Sequence, residues 1–469
     1  MLLEQLQRYD RSDIYPFHMP GHKRQMNLGT DAYHLDITEV EGFDNLHFAQ
    51  GILKEEQERL AQFLGVRQSF FLVNGSTCGI LAAISAAVPR GGKLLMARNS
   101  HKAAYHALYL RQLEVQYVCP YISSIDIQGA IPPDQIAREL SADSDIAAVY
   151  ITSPTYDGVV SDIARIAQIA HAYEKPLIVD EAHGAHFGLH RAFPQSAIHC
   201  GADLVIQSVH KTLPAFTQSA VLHLCSDRIL AGKVEAFLDI YESSSPSYVL
   251  MAGMSRLVPF LQSEGSARFE ALAENLKIFY DKSRKLRHLH VIQEEDFDRK
   301  EAFGRDISKI LISTGNCNID GKQLYERLLE EYHLQLEMYS GEYVTALCSL
   351  MDRAEGLERL AHALSCIDAT LKQAQKPDRR FVARLYREKE QVFSIADALD
   401  GVHDTAELEQ AAERVSAEYV YLYPPGIPLL VPGERIDKDF VQEVRELKAR
   451  GIMPEGMLDK NAKKIRVMM

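Results

Sequence analysis

A chain of 469 residues, 46% hydrophobic and 25% charged, is long enough for one large domain and at least one smaller one. Its net charge of −13 excludes the broad basic surface that nonspecific nucleic-acid binding needs, and no run of about 18 apolar residues offers a membrane span. The seven cysteines (Cys78, Cys119, Cys200, Cys225, Cys317, Cys348 and Cys366) are odd in number, dispersed and free of CxxC spacing. That pattern points to a reducing cytoplasm and away from a disulfide framework or a structural zinc.

In chain order, residues 1–30 read as a charged, amphipathic start followed by loop, with a turn at Pro20-Gly21. The start lacks the apolar core and small-residue cleavage site of a signal peptide. From about residue 55, short apolar runs alternate with helical stretches such as Gly79–Ala87, Ala103–Arg111 and Ile163–Tyr173. The runs are Phe70–Val73, Leu94–Ala97, Val115–Val118, Ala147–Ile151, Leu177–Asp180, Leu204–Gln207 and Ala220–Leu224. Runs of this length bounded by Gly, Pro or Asp suit strands buried on both faces, and their alternation with helices predicts an α/β fold with a mainly parallel sheet. Residues 264–290 read as a long helix leaving the sheet, 309–380 as a second domain, and 377–400 as a charged connector. A Pro-rich turn, Tyr423-Pro-Pro-Gly-Ile-Pro428, marks the tail.

Ligands of parallel sheets bind at the carboxyl ends of the strands, and four motifs fall there. Leu177-Ile-Val-Asp180-Glu-Ala-His183 ends a strand in a carboxylate. Alone, Asp180 is also read as a cap on the next turn. Asp180-Glu-Ala-His183 spells a helicase box, but no phosphate-binding GxxxxGK[ST] loop precedes it. One strand-helix unit later, Ser208-Val-His210-Lys211 places a lysine at a strand mouth. In a partly dry pocket such an amine loses its proton readily and becomes a nucleophile for Schiff-base chemistry. Lys23 and Lys102 are rivals without that spacing. Asn74-Gly75-Ser76-Thr77 opens a helix with exposed N–H groups and two hydroxyls, an anion cradle or an ordinary turn. In Arg98-Asn-Ser-His101-Lys102, His101 either lies flat on a planar ring or caps the next helix. Taken together, the four motifs supply a Schiff-base lysine, a partner for a ring nitrogen, a phosphate cradle and a stacking group, which is a site for pyridoxal 5′-phosphate.

These motifs resemble the ornithine/lysine/arginine decarboxylase family of fold-type I enzymes, in its short form without a receiver-like wing domain. The resemblance includes Met19-Pro-Gly-His-Lys23, Gly42-Phe-Asp-Asn-Leu-His47, Ser153-Pro-Thr-Tyr-Asp-Gly158, Ser245-Pro-Ser-Tyr248 and Pro432-Gly-Glu434. It implies an aspartate aminotransferase-like large domain with a mainly parallel seven-stranded sheet and a smaller α+β C-terminal region. The expected division is 1–30, an N-terminal segment; 31–270, the cofactor-binding domain; 271–375, a small α/β domain; and 376–469, the family's C-terminal domain. Carried over by position, Lys211 holds the cofactor, Asp180 pairs with its ring nitrogen, and His101 and Ala182 pack on its two faces. Gly75, Ser76, Thr77, Ser208 and His210 bind its phosphate, His183 sits by the ring, and Ser247 reaches the phosphate of a neighbouring subunit. The expected unit is therefore a cytoplasmic homodimer with active sites at the subunit interface.

The implied reaction is decarboxylation of a basic amino acid, in the order arginine to agmatine, lysine to cadaverine and ornithine to putrescine, feeding polyamine synthesis. The proton returned to Cα comes from Lys211, His183 or His210. Candidates for the substrate's distal cation are Asp157, Glu337 and Glu434, each of which also reads as a structural acid, Asp157 at its turn. The segment His47-Phe-Ala-Gln-Gly51 departs from the His-x-Pro-x-Gly of family members near the substrate entrance. Three other readings remain: an aminotransferase clamping the α-carboxylate with Arg379, Arg380 or Arg384; a zinc hydrolase on His183, His186 and His190, whose helix Gly184 and Gly188 interrupt; and a non-catalytic cofactor-binding paralogue.

Overall fold

The computed structural model describes residues 2–374, 384–422, 426–449 and 451–469. Arg379, Arg380 and residues 423–425 of the tail turn lie outside the described residues. The seven apolar runs form one sheet: β1 Gln68–Leu72, β2 Lys93–Ala97, β3 Glu114–Val118, β4 Ile146–Thr152, β5 Leu177–Asp180, β6 Leu204–Gln207 and β7 Ala220–Leu224. Their order across the sheet is β1-β7-β6-β5-β4-β2-β3. Only β7 runs antiparallel to its two neighbours, so the expected mainly parallel seven-stranded sheet is found. All residues of β5, β6 and β7 are buried, as helices on both faces require. The central pair β5 and β6 is in register with Asp180 opposite Ile206, so their carboxyl ends open side by side.

Helix α1, Gly75–Ala87, packs across this sheet. A Cβ on Gly79 would lie 2.6 Å from a Leu72 side-chain atom and 3.2 Å from one of Ile206. Glycine here lets the helix sit close on β1 and β6 and aims its N-terminus at their ends. Helix α2, Lys102–Arg111, starts in the same way from the end of β2.

The long helix predicted over 264–290 is α3, Ser266–Ser283, entered through one wider π turn at Leu261–Gly265. It leads to a four-stranded antiparallel sheet of β8 His290–Val291, β9 Lys309–Ser313, β10 Met338–Tyr339 and β11 Tyr343–Leu347, ordered β8-β9-β11-β10. Helices α4, Gly321–Tyr332, and α5, Ala354–Asp368, belong with this second domain. The amphipathic start of the chain folds as a helix, Leu2–Asp10. The strand Tyr15–Phe17 then pairs with Leu334–Leu336, tying the N-terminal segment to the second domain.

The charged stretch read as a connector is not a solvated link over its described part. Leu385 is buried, Lys389 packs its buried ammonium 5.6 Å from the Phe440 ring, and Arg387 pairs with Asp437 and Glu443. These residues join a C-terminal unit built on helix α6, Lys438–Ala449, and a strand pair, His403–Glu407 with Lys464–Met468. Arg384, Arg387 and Glu390 of the stretch pair within the C-terminal unit, which composition alone cannot distinguish from solvation.

The C-terminal unit meets the large domain through Arg98, just past β2. Its guanidinium is 2% exposed, lies 3.2 Å from a Glu434 carboxylate oxygen, and donates to the Pro428 carbonyl and the Tyr105 hydroxyl. Glu434 is itself fully buried and also accepts from the Val431 N–H. Removing one partner of a buried pair leaves an uncompensated charge, so Glu434→Ala should lower stability by about 3–5 kcal/mol in urea unfolding. A loss below about 1 kcal/mol would match an exposed pair and contradict this reading.

Candidate active site

Asp180 closes β5 with its carboxylate 2% exposed. One oxygen accepts from the Ala182 N–H at 3.1 Å and the other from the Tyr150 hydroxyl at 3.2 Å. Burial raises its pKa, and the Lys211 ammonium acts against that rise. Lys211 follows β6 on a short helical turn, Val209–Thr212. Burial pulls its amine below the ordinary lysine range, while Asp180 and Glu337 favour the charged form. The sheet register thus brings a carboxylate and a reactive amine to one cavity of about 380 Å³, which both line.

His183 forms part of the cavity wall beside them. Its Nε2 lies 3.0 Å from Lys211 Nζ and its Nδ1 lies 2.9 Å from Lys309 Nζ. The Tyr156 ring meets it edge-on, with centroids 4.9 Å apart. Burial and the flanking cations drive its pKa well down, so the imidazole is neutral. Lys309, the first residue of β9, was not signalled by any sequence motif. It is 1% exposed, and burial pushes its pKa down to about 8.

His101 caps the next helix, the second of its two alternatives, and also lines the cavity. Its Nδ1 accepts from the Ala103 N–H at 3.2 Å as the cap of α2, and its ring lines the cavity. Burial lowers its pKa to about 3, leaving a neutral, flat ring. At the other end of the cavity, Gly75 turns the chain into α1 with φ +74°, a conformation that favours glycine. The first turn of α1 directs free N–H groups outward, and the Ser208 hydroxyl donates to Ser76 Oγ at 2.8 Å. His210 lines the cavity with its Nδ1 2.8 Å from the Ser219 carbonyl. Ala182 also lines it, while Thr77 is exposed in the first turn of α1. Ser247 stands apart as the cap of the helix Tyr248–Ser255, with its hydroxyl accepting from the Leu250 N–H.

A second chamber of about 350 Å³ adjoins the first through Thr155, Tyr156, Glu337 and Ile427. Asp126, Asp157 and Glu337 give it an acidic wall. Asp157 is buried with the Tyr343 hydroxyl donating at 3.0 Å, and desolvation pushes its pKa up to about 6. Glu337 accepts from the Met19 N–H at 2.7 Å and the Tyr156 hydroxyl at 2.8 Å. Glu434, the third acid considered, is turned away and occupied by Arg98.

The rival residues go elsewhere. Lys23 is sealed among the carbonyls of Pro16, His18 and Leu347, 3.6 Å from Asp352. Lys102 places its ammonium 5.0 Å from the Tyr421 ring. His183, His186 and His190 diverge to the two lysines, to Asp306 and to Glu270. Among the described residues no group of three His, Cys, Asp or Glu side chains could hold a metal. Arg384 donates to Glu446 at 2.8 Å, within the C-terminal unit.

Residues 2–304 match the sequence model described as "Orn/Lys/Arg decarboxylase, major domain", and residues 384–450 match the corresponding C-terminal domain. The chain is 28% identical to an arginine decarboxylase of Bacillus anthracis, over 100% of this chain and 97% of that one. It is 33% identical to the uncharacterized protein YaaO of Bacillus subtilis, over 95% and 94% of the two chains. In three dimensions it superimposes on the constitutive lysine decarboxylase of E. coli with a TM-score of 0.77 and 19% identity, covering 100% of this chain and 81% of that one. The fold is that of the fold-type I decarboxylases. With the major-domain match taking in well over half of its 469 residues, the chain belongs to the ornithine/lysine/arginine decarboxylase family.

Proposed function

We propose that this chain decarboxylates a basic α-amino acid, arginine before lysine and ornithine, with pyridoxal 5′-phosphate held on Lys211. One observation carries the proposal: an amine and a carboxylate share a cavity at adjoining strand ends, and that cavity opens onto an acid-walled chamber. The residues present suit the cofactor. Asp180 offers a buried carboxylate to a ring nitrogen, His101 a flat neutral ring, and the α1 N-terminus with Ser76, Thr77, Ser208 and His210 an anion cradle. When bound, the cofactor supplies an electron sink for the pair left on Cα as carbon dioxide departs.

The chain's own groups do the rest. The Asp180 carboxylate holds a proton on the ring nitrogen by a charge-assisted hydrogen bond. Ala182 and His101, both lining the cavity, would pack against the ring. Lys211 would hold the cofactor through its amine. Lys211 and His183 both stand within the cavity to return a proton to Cα, with His210 at the phosphate end. The acidic chamber takes the substrate's distal cation.

Asp157 should bind that cation as a carboxylate. Below pH about 6 it carries a proton and the attraction is lost. The expected result is that KM for arginine rises as pH falls through about 6, roughly tenfold per unit once Asp157 is protonated. Asp157→Asn should raise KM about 10- to 100-fold at pH 7.5 and flatten this limb, on the scale of one hydrogen bond to a charged group. A normal KM in that variant would exclude Asp157 from substrate binding.

The assay that tests the function measures carbon dioxide from arginine, lysine and ornithine, with keto-acid formation followed in parallel. Keto acid without carbon dioxide would favour an aminotransferase, and neither product would favour a non-catalytic paralogue. We also propose a homodimer in which Ser247 reaches the partner's phosphate cradle. Ser247 caps a helix away from its own chain's cavity, and the arm before α1 exposes Tyr33, Phe43, Phe48 and Ile52, with Tyr33 89% exposed. A cytoplasmic location fits seven unbridged cysteines, and no helix among the described residues is long and apolar enough to cross a membrane. We retain the division 1–30, 31–270, 271–375 and 376–469, which puts the seven-stranded sheet and the four-stranded sheet in separate units.

A further inference from the structure

His183 lies between two lysines, and its hydrogen-bond inventory constrains both. A neutral imidazole has one N–H and one lone pair, whereas an ammonium only donates. Lys211 Nζ at 3.0 Å from Nε2 and Lys309 Nζ at 2.9 Å from Nδ1 therefore cannot both be charged while both contacts hold. One amine must be neutral and accept.

The surroundings decide which. Lys309 faces Asp306 from the turn before β9, Asp157 from the turn after β4, and Glu337 from the segment before β10. Its ammonium also lies 5.5 Å from the centre of the Tyr156 ring, a favourable position for a cation. Lys211 faces Asp180 and Glu337. The cations and imidazoles around His183 are Lys211, Lys309, His210 and His101, none of which favours a proton on its ring. The Arg305 guanidinium donates to the Lys309 carbonyl and fixes its backbone. Gly158, at φ +87°, has no room for a Cβ: one would lie 2.9 Å from Lys309 Cβ and Cγ. The Lys309 stem is thus clamped by backbone, and its head is directed at Nδ1.

We infer that Lys309 is a positioning residue acting through His183: its ammonium donates to Nδ1, holds the imidazole proton on Nε2, and so keeps the lone pair of a free Lys211 amine engaged and uncharged. The inference rests on Lys211 as the cofactor-bearing lysine. When Lys211 does take up a proton, Nε2 gives it and Lys309 restores one at Nδ1. The net change is one proton from Lys309 to Lys211, with only N–H bonds exchanged. Lys309 therefore sets how often Lys211 is a nucleophile without touching cofactor or substrate.

The test is the rate at which the apoprotein captures pyridoxal 5′-phosphate, followed by visible absorbance from pH 6 to 10. Capture forms a C=N bond from the neutral amine and releases water. Lys309→Met should move the midpoint of the rate profile up by about one pH unit, slowing capture about tenfold below the midpoint. Lys309→Arg, which keeps the charge and a donor, should restore most of the rate. His183→Phe should slow capture comparably, and adding Lys309→Met to it should cost little more, because both act on one unit. A wild-type profile in Lys309→Met would overturn the inference, as would an undiminished Lys309→Met shift on the His183→Phe background, which would mean simple charge repulsion. Thermal unfolding by circular dichroism confirms that each variant is folded before capture is measured. Capture by Lys211→Ala would instead defeat the underlying assignment of Lys211, so the two failures are distinguishable.

Discussion

Lys211→Ala should abolish the visible absorbance that pyridoxal 5′-phosphate acquires on the wild-type chain and should lower turnover by about 10⁴-fold or more, as loss of a group acting at the reacting centre does. The expectation follows from position. Lys211 supplies the amine that meets the cavity at the end of β6, beside Asp180 at the end of β5. Among the described residues the other lysine near the site is Lys309, which stands behind His183 and does not line the cavity. Neither Lys23, held by three carbonyls, nor Lys102 lines it. Alanine should leave the fold intact, because among the described residues Lys211 makes no ion pair and its side-chain contact is with His183 in the cavity wall. Cofactor absorbance and turnover both retained in this variant would remove Lys211 from the chemistry.

The second large effect belongs to Asp180. Asp180→Asn keeps the side-chain shape and an oxygen to accept from Ala182 or Tyr150, so the strand end should hold. What it removes is the negative charge that keeps the ring nitrogen protonated. Turnover should fall about 10²–10³-fold or more, the scale of losing one preorganised electrostatic partner in a dry site, while cofactor capture persists. The split is the diagnostic result: capture retained, turnover lost. Full activity in Asp180→Asn would show that the electron sink does not depend on this carboxylate.

Much of the architecture was legible because the large domain writes its strands plainly. Seven short apolar runs between helices became seven strands, and three of them, Leu177–Asp180, Leu204–Gln207 and Ala220–Leu224, have the predicted bounds. The strand-end motifs contain Ser76, His101, Asp180, His183, His210 and Lys211, which line one cavity, whereas Thr77 and Ser247 do not line it. Legibility failed where the relevant neighbour is distant in sequence and belongs to another layer. Lys309 begins a strand of the second domain, and nothing in Ser308-Lys309-Ile310 announces that it will face His183. Glu434 is structural, as one of its two readings had it, but no pattern revealed that Arg98 would be its partner. Residues 384–400 read as solvated because a charge run looks the same whether its partners are water or Asp437 and Glu443. For His101, capping and stacking do not compete: Nδ1 accepts from the Ala103 N–H, and the residue still lines the cavity.

The Arg98–Glu434 pair also bears on how this chain unfolds and how it can be recombined. Arg98 sits three residues before His101, at the head of the largest sheet, yet its counter-charge comes from the other end of the polypeptide. A fragment ending before residue 384 would leave the Arg98 guanidinium without its carboxylate and without the Pro428 carbonyl, keeping only the Tyr105 hydroxyl. The stretch matched as a major domain and the stretch matched as a C-terminal domain are therefore separable as text but not as thermodynamic units: they should melt together in one transition. A chimera that exchanges the C-terminal stretch for a relative's will keep the cofactor end of the sheet in order only where the incoming segment brings an acid to the place of Glu434.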